Sequence, residues 1–216
     1  MNLVFLGINE AGEEVLEWLK QKENVDIKAV IEEREGLQKI KDLRPELVVS
    51  SGFEHIVPKQ IIQIPEKGII NLHPSYLPHN RGAHPYIWPL IEDTPAGVSV
   101  HFMNEGIDEG PVIARKKVEK RPDDDAESLR ERLMKEQAEL FKDNWDRILR
   151  EEAWEQNLEE GSFHLKSDLD EISNLDLEKE MTLREAINLL KGLTFGDKKL
   201  ASIDEEYFVG VNIEKE

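Results

Sequence analysis

The sequence predicts an α/β fold, a mostly parallel sheet flanked by helices, with a small α+β appendage at its C-terminal end. Short apolar runs alternate with helix-spaced segments through the first third of the chain. Two more strand-like runs follow a loop rich in Pro, Gly, Asn and His. Past Glu160 the pattern changes to one capped helix among short strand-like pieces. Strands alternating with helices call for a parallel sheet covered on both faces.

Leu3-Val4-Phe5-Leu6, closed by Gly7, reads as a buried first strand. Asn9 is placed to cap the next helix, whose Val15, Leu16 and Leu19 share one face. Ile27–Ile31 reads as a second strand, and Leu37, Ile40 and Leu43 mark a short helix stopped at Pro45. Leu47–Ser50 and Ile69–Leu72 are the third and fourth strands. The loop Pro74–His84 leads to a short helix over Tyr86–Ile91. Gly97–Phe102 alternates as a strand beside Pro111–Val118. One long helix is expected from Asp123, with Leu129, Leu133, Leu140, Phe141, Trp145 and Ile148 as its core stripe. Glu159-Glu160-Gly161 reads as a hinge dividing a domain over 1–158 from a docking subdomain over 162–216. In that tail Thr182–Glu185 is a capping box, and Leu200–Ile203 and Tyr207–Ile213 are strand-like.

At 216 residues the chain holds one domain and a small appendage. It has no cysteine, so it forms no disulfide, which suits a reducing compartment. The N-terminal stretch lacks a basic region, and no apolar run approaches a membrane span. A soluble, cytoplasmic protein without a membrane partner is therefore expected. A net charge of −18 disfavours a nucleic-acid partner, whose phosphates require a positive face.

Several chemistries lack their residues. The first turn, Gly7-Ile8-Asn9-Glu10-Ala11-Gly12, is neither a dinucleotide fingerprint nor a P-loop. There is no G-x-S-x-G elbow and no thiol. The histidines between 55 and 101 show no zinc spacing, so no metal is expected. What remains is Asn71-Leu72-His73 at a strand end and Asp108 in a later loop. Alternation puts Asn71 and His73 on one face. An amide donor beside an imidazole suits acyl transfer, and a carboxylate orients the ring and favours its cation.

Asn71–Glu119, reading NLHPSYLPHNRGAHPYIWPLIEDTPAGVSVHFMNEGIDEGPVIARKKVE, resembles the folate-dependent formyltransferases in its order of Asn-x-His-x-Ser-x-Leu-Pro, Arg-Gly and Asp-x-Gly. The resemblance spans most of residues 1–120 and implies a Rossmann-like formyltransferase fold. It implies transfer of a formyl group from 10-formyltetrahydrofolate, as co-substrate, to a primary amine. Asn71, His73 and Asp108 become the catalytic group. Phe53, Glu54, His55, Ile56 and Val57, with Asn104, Gly106 and Ile107, become the pterin site, held largely through backbone groups. Arg81, His84, Tyr86 and Trp88 become candidates for acceptor contacts. His101 is read as structural. The tail sequences Phe163–Asp170 and Ile187–Phe195 resemble those of sugar N-formyltransferases, which implies a nucleotide-linked 4-amino-sugar as acceptor. Glycinamide ribonucleotide, hydrolysis of the folate, and a non-catalytic folate-binding module are the alternatives. A homodimer is compatible with all of these. Two features depart from the family: the region after Ile31 is short, and Glu109 stands where many members carry Thr.

Overall fold

In the computed structural model, which describes residues 1–214, strand β1 (Asn2–Leu6) leads into helix α1 (Glu10–Lys20). Asn9 caps that helix by accepting from the Gly12 N–H. Strand β2 (Asp26–Ile31) is followed by a 3-10 turn and α2 (Lys39–Leu43). Then come β3 (Leu47–Ser51), α3 (Lys59–Ile62) and β4 (Ile69–His73). The long loop after β4 carries a two-residue strand, β5 (Arg81–Gly82), and the single turn α4 (Trp88–Ile91). β6 (Gly97–Phe102) and β7 (Val112–Lys117) precede helices α5 (Ala126–Asp143) and α6 (Trp145–Leu149).

The six-stranded sheet has the order β2-β1-β3-β4-β6-β7. The first four strands are parallel; β6 and β7 run antiparallel. Alternating side chains feed two cores. Leu3, Phe5, Leu47 and Val49 pack with Val15, Leu19, Leu133 and Phe141 on one face. Val4, Leu6 and Val48 pack with Leu37, Ile40 and Ile61 on the other. The strand order reverses beside β1, so a crevice opens beyond the carboxyl ends of β1 and β3, next to that of β4. Gly7 and Gly52 occupy this place with φ of 70° and 76°. A Cβ on Gly7 would lie 2.4 Å from the Phe53 nitrogen, so only glycine lets the two turns meet.

The tail contains β8 (Phe163–His164), α7 (Lys166–Ser173) and α8 (Leu183–Gly192). Two small hairpins follow, β9 (Thr194–Phe195) with β10 (Lys198–Lys199), and β11 (Ala201–Ile203) with β12 (Tyr207–Val209). It docks closely: a Cβ on Gly192 would meet Ile91 at 2.4 Å.

The structure differs from the sequence reading in places. The single long helix breaks at Asn144, whose side chain donates to the Leu140 carbonyl at 2.9 Å. The last strand ends at Val209, before Ile213. Gly161 is no hinge. Its Cα packs so tightly on the Pro78 carbonyl that a Cβ would stand 2.2 Å away, and Ser162 is bonded to Asn80. β5 and β8 pair in parallel, and a two-residue strand has no periodicity to announce it.

Asp125 joins helix and tail. One carboxylate oxygen caps α5 at the Ser128 N–H (2.8 Å), and the other accepts from the Gly196 N–H (3.1 Å). Asp125→Ala should lower stability by about 1–2 kcal/mol. Thermal unfolding followed by circular dichroism checks this; an unchanged Tm would remove Asp125 from that role.

Candidate active site

Asn71 and His73 lie at the carboxyl end of β4, and β6 runs alongside with Asn71 opposite His101. The loop after β6 turns back through Asp108, held at φ 54°, a left-handed conformation for a non-glycine residue. The Asp108 carboxylate is the hub. Its Oδ2 stands 3.6 Å from His73 Nε2 and accepts from the Gly82 N–H at 2.9 Å. Its Oδ1 stands 3.5 Å from His101 Nε2 and accepts from Asn71 Nδ2 at 3.4 Å. Gln156 donates to the backbone carbonyls of Asp108 and Gly110 and holds the turn from below.

The tautomers follow from the partners. His101 Nδ1 donates to the Phe102 carbonyl at 2.8 Å, so its Nε2 carries a lone pair toward Asn71 (3.2 Å). His73 Nε2 faces two acceptors, Asp108 and the Asn80 carbonyl at 3.3 Å, so it keeps its proton and Nδ1 keeps the lone pair. Asn71 Nδ2, His101 Nε2 and Asp108 Oδ1 form a nearly equilateral triangle. Seen from Nδ2 the two acceptors are roughly 60° apart, half the angle of about 120° between amide hydrogens. Both contacts draw on the Asn71 amide nitrogen.

Burial pushes the His73 imidazole below its ordinary range, although Asp108 pulls it upward. The net direction is downward, opposite to the pull that the carboxylate alone was expected to exert. Burial alone would raise the Asp108 carboxyl, but His73 and the Gly82 N–H oppose it, and the carboxyl is held well below the usual carboxylate range.

The Phe53–Val57 loop and the Asn104–Asp108 loop flank the same sheet end, joined by Lys59 and Glu105 at 2.5 Å. Phe53 and Val57 reach into the core beside β3. Ile56 and Ile107 stay exposed, at 73% and 42%. Glu54 is exposed, and His55 lies edge-on to Phe53. Asn104 accepts from the Gly106 N–H and shapes its own turn. The acceptor candidates divide. His84 and Tyr86 are half-buried neighbours, His84 at φ 53°. Arg81 and Trp88 are taken up inside the fold. Arg81 donates to Glu109 at 2.8 Å, which gives the unusual Glu109 a partner. Trp88 donates to the Ala83 carbonyl and stacks on His164 at 3.8 Å. His101, read as structural, touches both Asn71 and Asp108. Only the β4–β6 register reveals that.

Residues 6–144 match the family model described as formyl transferase. The chain belongs to the formyl transferase family. A second model, the N-formyltransferase dimerization C-terminal domain, matches residues 168–215. The methionyl-tRNA formyltransferase of Thermodesulfovibrio yellowstonii is 39% identical over 113 residues, 52% of this family member and 37% of that relative. The chain thus matches little more than a third of that curated relative's length. A 4-N formyltransferase from Francisella tularensis shares the fold, with a TM-score of 0.89 at 22% identity over 99% of this chain and 98% of that one. A formyltransferase from Anoxybacillus kamchatkensis is 27% identical, with a TM-score of 0.68 over 79% of this chain and 89% of that one. Its crystal structure is a complex with UDP-4,6-dideoxy-4-formamido-L-AltNAc and tetrahydrofolate. Among the described residues, no helix is long and apolar enough to cross a membrane.

Because Asp108 raises the His73 pKa against burial, Asp108→Asn should move it further down. An imidazole NMR titration measures this. A His73 titration at or above the wild-type pH would refute the carboxylate's role.

Proposed function

We propose that this chain transfers the formyl group of 10-formyltetrahydrofolate to a primary amine, that of a nucleotide-linked 4-amino-sugar. The observation that carries the reading is the convergence of Asn71, His73 and Asp108 at one sheet end. The 4-formamido sugar nucleotide and tetrahydrofolate in the Anoxybacillus kamchatkensis structure support the choice of acceptor and donor. The net charge of −18 argues against a transfer RNA as acceptor.

In this mechanism the amine nitrogen attacks the formyl carbon, and the carbonyl oxygen becomes an oxyanion. The Asn71 amide donates to it. The His73 Nδ1 lone pair takes a proton from the amine, and Asp108 steadies the imidazolium at Nε2. The proton then passes to N10 of the folate as its bond to carbon breaks, and His73 returns to neutral. The pterin lies between the loops Phe53–Val57 and Asn104–Asp108, against Ile56 and Ile107. His84 and Tyr86 face the acceptor.

Residues 1–158 form the catalytic unit in this reading, and 162–216 a docking subdomain that also carries the dimer contact. The description of the second family model and the exposed Leu183, Tyr207 and Phe208 support a homodimer.

Purified protein given 10-formyltetrahydrofolate and a panel of nucleotide-linked amino sugars and aminoribosyl nucleotides should yield a formylated 4-amino-sugar by mass spectrometry. Formate release with no acceptor consumed would instead identify a hydrolase. Asn71→Ala should lower kcat roughly 10²–10³-fold while the fold persists. Near-normal turnover would take Asn71 out of the mechanism.

A further inference from the structure

The loop from Asn80 to His84 presents two backbone groups to the chemical centre: the Asn80 carbonyl to His73 and the Gly82 N–H to Asp108. It does so in an unfavourable conformation. Asn80, Gly82 and His84 alternate through positive φ, at 55°, 89° and 53°. A non-glycine residue there is strained and persists only where its surroundings over-determine it.

Thr94 exchanges hydrogen bonds with the Asn80 side chain at 3.0 and 3.1 Å, and the tail supplies the rest. Ser162 Oγ accepts from the Asn80 N–H at 2.9 Å and donates to Asn80 Oδ1 at 3.0 Å. The Ser162 and His164 carbonyls accept from the N–H groups of Arg81 (3.0 Å) and Ala83 (2.9 Å). The buried His164 ring lies flat on Trp88, 9° from parallel, and Trp88 donates to the Ala83 carbonyl. A Cβ on Gly82 would meet the His164 oxygen at 2.3 Å, so the two strands are in full contact.

We propose that Ser162 and His164 are positioning residues for the reaction: they clamp loop 80–84 so that its carbonyl and N–H meet His73 and Asp108. The inference rests on the formyl-transfer reading for its kinetics and on geometry alone for its effect on His73. The groups facing His73 are Asp108, His101 and the Asn80 carbonyl; Glu92 and Asp168 face His164 at 3.3 and 3.9 Å. Releasing the clamp admits water to His73. Burial is the largest influence on that imidazole, so its titration moves up toward the ordinary range.

The test compares His164→Ala, His164→Phe and Ser162→Ala in the full chain, with folding checked by circular dichroism. With 10-formyltetrahydrofolate and a UDP-linked 4-amino-sugar, His164→Ala should lower kcat about tenfold or more. The KM for the folate should stay within about twofold. His73 should titrate at higher pH by imidazole NMR in the free protein. His164→Phe, which keeps the stack, should restore both readings. Ser162→Ala should repeat the direction of His164→Ala and serves alone if that variant does not fold. Unchanged kcat and His73 titration would overturn the clamp, as would a loss confined to KM. A phenylalanine variant as poor as alanine would assign the effect to Glu92 and Asp168 and overturn it too. If the wild type formylates no amine, the functional reading fails; the His73 titration then decides the clamp, and an unmoved value sinks it.

Discussion

The Asp108 carboxylate sits almost out of water, and a charge in that position survives only if donors surround it. Two segments converge to supply them: β4 brings Asn71 and His73, and loop 80–84 brings the Gly82 N–H. Removing either leaves a buried anion undersupplied. The left-handed turn at Asp108 and the strained loop are two answers to one electrostatic demand. The same convergence leaves the His73 Nδ1 lone pair uncommitted, and the proposed acyl transfer draws on it and on the Asn71 amide.

Burial and charge act on His73 in opposite directions, and burial wins. A neutral resting imidazole is suited to receiving a proton, and the adjacent carboxylate gains its full value only once the ring is charged. In the proposed reaction the pair is better matched to the transition state than to the resting state.

Much of this was legible in the sequence. The apolar runs at Leu3 and Leu47 and the alternation of Asn71 with His73 follow from side-chain periodicity, which is local. The family pattern located Asp108. His101 was not legible as a site residue, because its role depends on which residue faces Asn71 across the sheet. The pairing of Phe163–His164 with Arg81–Gly82 was hidden for a similar reason, since two residues carry no period. Arg81 and Trp88 were placed toward substrate by their loop, but Glu109 and His164 draw them inward. The direction of the His73 shift required the extent of burial, which no spacing records.

Ser162 is separated from Asn80 by 82 positions of sequence, with three strands and the longest helix between them. A chain emerging from the ribosome completes its six-stranded sheet well before it synthesises that serine. At roughly 5–20 residues per second the interval lasts seconds. During it Thr94, Asp108 and Glu109 already hold Asn80, Gly82 and Arg81 of the loop, but the contacts from Ser162 and His164 to its left-handed turns are still missing. Under the proposed clamp, a chain stopped before Ser162 would keep the sheet but lack the tail's hold on the loop, so activity would itself report that the tail has arrived.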